Sequence, residues 1–287
     1  MKKIKVLSVL IIASSLVFIY SCKKNTKDVD TETQSVVDNA ICEQEFMQIQ
    51  PTTNNLAIKT KGTSAQRLIN NINQITAFGC DTLTYLSGDT TTATGFNNTN
   101  PPTFQFDYGN CALANVDGVV RTGKVWIRYL GRPNVAGGKT IIKLINYKLN
   151  GIVDYTCDSI VVTTITNTVA TKSWNVQIIN GACWGSGWNI KYSSNKTITV
   201  NTQSTFALLD DVTTVTGTAN GTNRDGRDFT VNINGITKPS NCKHITQGTV
   251  DVTPKDFSTR TVDFGNGNCD DDATFTVNGQ TIAFKLK

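Results

Sequence analysis

The chain has 287 residues and a formal charge of +5, and it is 39% hydrophobic, 8% aromatic and 17% charged. A single histidine, His244, excludes zinc sites built on several imidazoles. No block of Lys and Arg supplies an electrostatic footprint for nucleic acid.

Lys2, Lys3 and Lys5 precede an apolar run from Val6 to Tyr20 that is too short to span a bilayer core, which takes about 20 residues. This is the layout of a secretory signal peptide over residues 1–21. Ile19-Tyr20-Ser21-Cys22 resembles a lipobox, with Tyr20 bulkier than usual at its position, and predicts lipid attachment (acylation, as by palmitate) at Cys22. Loss of the three signal lysines takes the formal charge from +5 to +2. Residues 22–33 are polar and charged, the composition of a flexible tether. Within them Lys27-Asp28-Val29-Asp30 resembles the acidic tags that direct some lipoproteins of diderm bacteria to the cell surface. The expected location is therefore the outer membrane, lipid-anchored and facing outward.

Residues 34–77 form a helical or irregular segment. Val36, Val37, Ala40 and Ile41 recur at helical spacing and predict a short helix over 34–48. Leu68, Ile69, Ile72 and Ile75 predict a second short helix or an entry strand.

From residue 78 to 287 the period changes to two. Val125, Ile127 and Tyr129 alternate with Trp126, Arg128 and Leu130. Ile141, Ile145, Tyr147 and Leu149 mark a second face. Trp174, Val176 and Ile178, then Phe229, Val231 and Ile233, then Ile282, Phe284 and Leu286 repeat the pattern. Half-buried strands between turn residues predict an all-β, antiparallel fold, either a sandwich or a curved meander, with a short N-terminal helical segment. Asn278-Gly279 suits a two-residue type I′ hairpin that sets Phe275 opposite Ile282 and Ala273 opposite Phe284. Arg224-Asp225-Gly226 suits a three-residue loop with Gly226 left-handed, which sets Ala219 against Val231 and Gly221 against Phe229.

The β region contains an internal repeat. Cys80, a strand, and Phe106-Asp107-Tyr108-Gly109-Asn110-Cys111 are echoed by Cys242, a strand, and Val262-Asp263-Phe264-Gly265-Asn266-Gly267-Asn268-Cys269. The Gly and Asn residues permit a tight turn or bulge after each strand. With Arg121-Thr122-Gly123-Lys124-Val125 after the first block, and Asp270 and the Asn278-Gly279 hairpin after the second, residues 78–287 resemble a family of uncharacterised all-β outer-membrane lipoproteins of diderm bacteria. The resemblance implies a fold and a location and transfers no activity. Cys157 and Cys183 stand outside its pattern.

Seven cysteines remain once Cys22 is acylated, so at least one thiol is unpaired in the monomer. Paired strands whose open ends bring flanking cysteines together predict Cys80–Cys111 and Cys242–Cys269. Spacing alone adds Cys157–Cys183 and leaves Cys42 free. Cys42 pairs with Cys157 or Cys183 instead if the helix folds back on the sheet.

No catalytic set emerges. His244 lies beside Cys242, no Gly-x-Ser-x-Gly elbow occurs, and glutamate is absent after Glu45. Asp210-Asp211 and Asp270-Asp271-Asp272 read as solvated turns. Asn266, Asn268, Asp270 and Asp272 alternate as oxygen donors without a closing Glu, and read as a polar connection rather than a calcium loop. Trp184 and Trp188 flank Gly185-Ser186-Gly187; they either stack on sugar rings or cap one end of the core. The expectation is a lipoprotein held on the membrane by its lipid, without enzyme activity, cofactor, metal or nucleic-acid partner. Its role is to bind a surface glycan or envelope protein, or to be structural. The alternatives are a glycan hydrolase using Asp residues and an accessory subunit of an envelope complex.

Overall fold

The computed structural model describes residues 30–59, 82–89, 96, 99–109, 119–202, 211–242 and 244–286. The chain divides into two units, Met1–Thr31 and Glu32–Lys287, and the fold is that of the second. The signal peptide, Cys22, Cys80, Cys111 and the segment carrying Leu68 to Ile75 lie outside the described residues.

One helix, α1 (Gln34–Lys59), precedes fourteen strands among the described residues. They are β1 (Thr82–Ser87), β2 (Thr103–Asp107), β3 (Arg121–Leu130), β4 (Lys139–Leu149), β5 (Val153–Thr156), β6 (Ser159–Asn167) and β7 (Thr171–Gly185), then β8 (Trp188–Asn201), β9 (Val212–Thr222), β10 (Asp228–Pro239), β11 (Gln247–Pro254), β12 (Arg260–Asn266), β13 (Asp272–Val277) and β14 (Gln280–Lys285). All belong to a single antiparallel sheet in which sequence neighbours pair, so the all-β meander is the architecture. In one place the rule bends: β5 and β6 lie end to end between β4 and β7, each pairing with both.

Local chemistry accounts for the strands and their register. In β3, Val125, Ile127 and Tyr129 are buried and alternate with more exposed neighbours, as period two requires. The β13–β14 turn is Asn278-Gly279, both with positive φ, and pairs Phe275 with Ile282 and Ala273 with Phe284. Between β9 and β10, Asn223 N–H donates to the Arg227 carbonyl at 2.8 Å and closes a three-residue loop with Gly226 at φ 79°. Ala219 meets Val231 and Gly221 meets Phe229.

The repeat has a physical origin in twin turns. Asp107 Oδ1 accepts from Gly109 N–H, and Asp263 Oδ1 accepts from Gly265 N–H, both at 2.9 Å. Each Asp closes an Asx turn, at the end of β2 and within β12, with the Gly left-handed.

The face expected from Ile141, Ile145, Tyr147 and Leu149 is corrected. Thr140, Ile142, Leu144 and Tyr147 point inward, whereas Ile145 is exposed. A bulge explains the switch: Asn146 has φ 49° and the β3–β4 register shifts at Thr122/Lys124, reversing the parity of β4 after Leu144.

The helix runs on past residue 48 to Lys59 and lies against the sheet. Its contacts run from the late strands at its start to the early ones further along. Glu32, just before α1, reaches β12, Asp38 the β9–β10 loop, Cys42 β7, Glu43 β8 and Glu45 β3. The helix therefore crosses the strands. In a flat sheet β3 and β12 would stand about 38 Å apart, while Glu32 to Glu45 rises about 20 Å along a helix. The sheet closes that gap by curving around the helix, so the core is the sheet's concave face with α1 upon it. Phe46 fills its centre, stacked on Tyr192 (5.9 Å between centroids, 7° between planes) and edge-on to Tyr155 (5.7 Å, 81°).

Candidate functional site

The chain contains three glutamates, Glu32, Glu43 and Glu45, all in or next to the first turns of α1. Each meets a base from the sheet. Arg121 on β3 donates through Nε and Nη2 to the two Glu45 oxygens at 3.0 Å each, and Tyr147 O–H donates to the same carboxylate. Lys196 on β8 is fully buried and pairs with Glu43, which also accepts from Tyr192 O–H at 2.7 Å. Arg224 donates to Asp38 from its backbone N–H and its Nε, both at 2.8 Å, and its guanidinium lies 4.7 Å from the Trp188 ring centroid. Arg260 on β12, wholly buried, donates to the Glu32 carbonyl at 2.7 Å and lies 3.5 Å from its carboxylate. Glu32 also accepts from Ser35 N–H at 2.9 Å, placing negative charge where the helix N-terminus favours it.

This ladder was absent from the expectations drawn above. Arg121 and Lys196 stand at strand positions whose parity points inward, Lys196 between buried Ser194 and Ile198. A cation at an inward position, in a chain whose glutamates are confined to one helix, is the signal that finds it. Chemically the ladder is a clamp, since each acid is already paired with a base.

Burial raises the ionisation of Tyr129, Tyr147, Tyr155 and Tyr192 above the ordinary value of 10.0, with the neighbouring Glu45 or Glu43 adding to the rise at the last three. A raised folded value gives stability that is complete below pH 10 and lost as the unfolded chain ionises above it. Lys196 moves the other way. Burial lowers its value from 10.5 against the pull of Glu43, so its contribution to stability grows as pH rises toward 10.5. Four tyrosines outweigh one lysine. The half-buried Cys157 thiol, pushed up from 9.0 to about 12 by burial, adds to the loss. Thermal melts followed by circular dichroism should show a midpoint that holds to about pH 9 and then falls, as stability drops by about 1.4 kcal/mol per pH unit for each such group still protonated in the fold. A midpoint unchanged at pH 11.5 would contradict this.

The opposite face of the sheet carries a cavity of about 960 Å³ over β7–β11. Lys191, Thr222 and Asp228 are register partners there, Thr222 Oγ1 donates to Asp228 Oδ1 at 2.8 Å, and Asn220, Thr230 and Lys255 extend the polar lining. A second cavity, of about 690 Å³, opens where the β7–β8 hairpin meets the β9–β10 loop.

Trp184 and Trp188 both line the second cavity but do not form one platform. Trp184 pairs with Asn189, and Gly185 with Trp188, so parity puts the two rings on opposite faces. Trp188 packs against the core, whereas Trp184 is exposed on the outer face. His244 is half-buried near Asp271, whose carboxyl is held below the usual range chiefly by a hydrogen bond from Lys285. Lys285 pairs with Asp271 at 2.6 Å and Asp272 at 2.7 Å, and Asp270 accepts from Asp272 N–H at 3.0 Å. No cluster of three or more His, Cys, Asp or Glu suited to a metal occurs among the described residues.

The Cys242–Cys269 disulfide is present, with Cα atoms 5.7 Å apart, and joins the segment leading into β11 to the segment that follows β12. The Cys157–Cys183 pairing is corrected: no disulfide joins these two residues. Cys183 faces Tyr155 across the ladder, and Cys157 lies two residues on. Such diagonal neighbours are about 7–8 Å apart, beyond the reach of a disulfide. The Cys183 sulfur lies instead 2.9 Å from that of Cys42. In comparisons with known proteins, no family model, no curated protein and no solved structure matches this chain.

Proposed function

We propose that this chain is a lipid-anchored protein of the outer membrane, acylated at Cys22 and facing outward, with a non-catalytic binding or structural role. The observation that carries the reading is the clamp. Only the tether 22–33 separates Cys22 from α1, and α1 is tied to the sheet from β12 to β3 by buried carboxylate–cation pairs. A domain held by its N-terminal lipid is pulled through that segment, and the clamp passes the load to the whole sheet. No helix among the described residues is long and apolar enough to cross a membrane, and the lipid would supply the attachment.

The binding role belongs to the outer face. Its cavity offers amide, hydroxyl, ammonium and carboxylate groups, with Trp184 exposed on the same face, a set suited to a glycan. Asp228 and Asp256 line the same cavity and are the pair on which a hydrolase reading would rest.

Cell fractionation of Cys22→Ala tests the anchor, and the variant should move from the membrane pellet to the soluble fraction. Its retention in the pellet would place the attachment elsewhere. Protease added to whole cells should remove the wild-type protein, and survival until lysis would place it inside the envelope. On a glycan array, signal lost in both Asn220→Ala and Lys191→Ala would assign the cavity, and signal lost in Trp184→Ala would add the exposed ring to the site. Turnover of a bound glycan that disappears in Asp228→Asn would favour the hydrolase.

A further inference from the structure

We propose that Cys42 and Cys183 form a disulfide in the exported protein, joining α1 covalently to β7. The proposal rests on the exported location proposed above. The two sulfurs are 2.9 Å apart, closer than unbonded sulfur atoms rest, and both residues are completely buried. The pair lies within the clamp: Glu43 follows Cys42 directly, and Cys183 lies between its ladder partners Tyr155 and Ile190 on the inner face. The chain already carries one disulfide, Cys242–Cys269. With Cys42 and Cys183 joined, Cys157 is the one thiol left among the described residues.

The chemistry is thiol–disulfide exchange with a disulfide-carrying oxidoreductase outside the cytosol. One thiolate attacks a donor sulfur and forms a mixed disulfide, and the donor's other sulfur leaves as a thiolate. The second protein cysteine then attacks its partner's sulfur in the mixed disulfide and releases the donor as a dithiol. Two protein thiols are oxidised, and the two electrons and two protons they give up convert the donor's disulfide into its dithiol. Burial beside Cys183 raises the ionisation of the Cys42 thiol, so exchange belongs to the stage before the helix docks, while a thiolate can form in water. Docking then seals the bond from reductant.

Wild-type protein is purified from cell envelopes, unfolded in guanidinium with iodoacetamide present, and mapped by mass spectrometry without reduction. The expected result is a peptide pair joining Cys42 to Cys183, lighter by two hydrogen atoms than the two thiol peptides, with Cys157 alkylated. In parallel, the full-length chain is reduced in denaturant and refolded in a glutathione buffer, where the same link should return with the Cys242–Cys269 link. The Cys157→Ser variant should keep the Cys42–Cys183 link in both preparations. If Cys42 and Cys183 are alkylated in both preparations while Cys242–Cys269 is intact, the proposal is overturned. A Cys157–Cys183 link overturns it too. If both links form on refolding but neither is found in cells, the pairing holds as a property of the fold and the exported location fails.

Discussion

Replacing Arg121 with Met should lower the stability of the folded chain by about 3–5 kcal/mol. The Arg121 and Glu45 side chains are 7% and 4% exposed, so neither charge is offset by water. Without the guanidinium, Glu45 keeps the Tyr147 hydroxyl and nothing that neutralises it. A carboxylate in that position must be protonated or carry the full cost of burial. The double variant Arg121→Met/Glu45→Met removes both charges and should recover most of the loss, because well-packed apolar side chains replace a buried pair with little penalty. Urea denaturation of the two variants reads the difference directly. A single variant that loses less than about 1 kcal/mol would mean that Glu45 is not held by this pair.

Phe46→Ala should cost a similar amount, about 3–5 kcal/mol. The ring is completely buried between Tyr192 and Tyr155, and a methyl group added at Gly181 would stand 3.0 Å from its edge. Removing the ring opens a void where helix, β5, β7 and β8 meet, and backbone on three strands cannot collapse to fill it. The near-ultraviolet circular dichroism of the two tyrosines should weaken in the same variant, since the ring that orders them is gone. Ile179→Ala, on the 40% exposed outer side of β7, is the comparison and should stay within about 0.5 kcal/mol of wild type. Equal losses at the two positions would show that the helix does not organise the core.

The strands and turns were legible because they obey short-range rules. Period-two burial located β3 and β10, and the residues at Asn278-Gly279 and Gly226 set two registers correctly. The β4 face was misjudged because its bulge is made by Asn146 opposite Gly123, and no residue in the Ile-Asn-Tyr stretch announces a change of parity. The cysteine pairing had the same difficulty in another form. Cys157, just past the end of β5, and Cys183, on β7, look alike in spacing to the other two pairs, and only the ladder reveals the two-residue offset. The clamp was least legible. Its partners are far apart in the chain, and nothing local to Glu45 points to Arg121.

The separations within the clamp order the steps of folding. Every strand pairs with a near neighbour in the chain, so the meander can assemble progressively from short loops, which favours speed. The helix contacts are of another kind: Glu45 lies 76 residues from Arg121, and Glu32 lies 228 residues from the β12 arginine that receives it. The α1 segment, made before any of the described strands, thus finds its last partner only when β12 has formed. Until then the α1 segment has no complete binding surface, and the concave face beneath it is open to water. Refolding should accordingly show two events, a fast rise of strand signal and a slower burial of Tyr192 and Tyr155 as the helix closes over them, with the N-terminus the final part of the molecule to become protected from proteases.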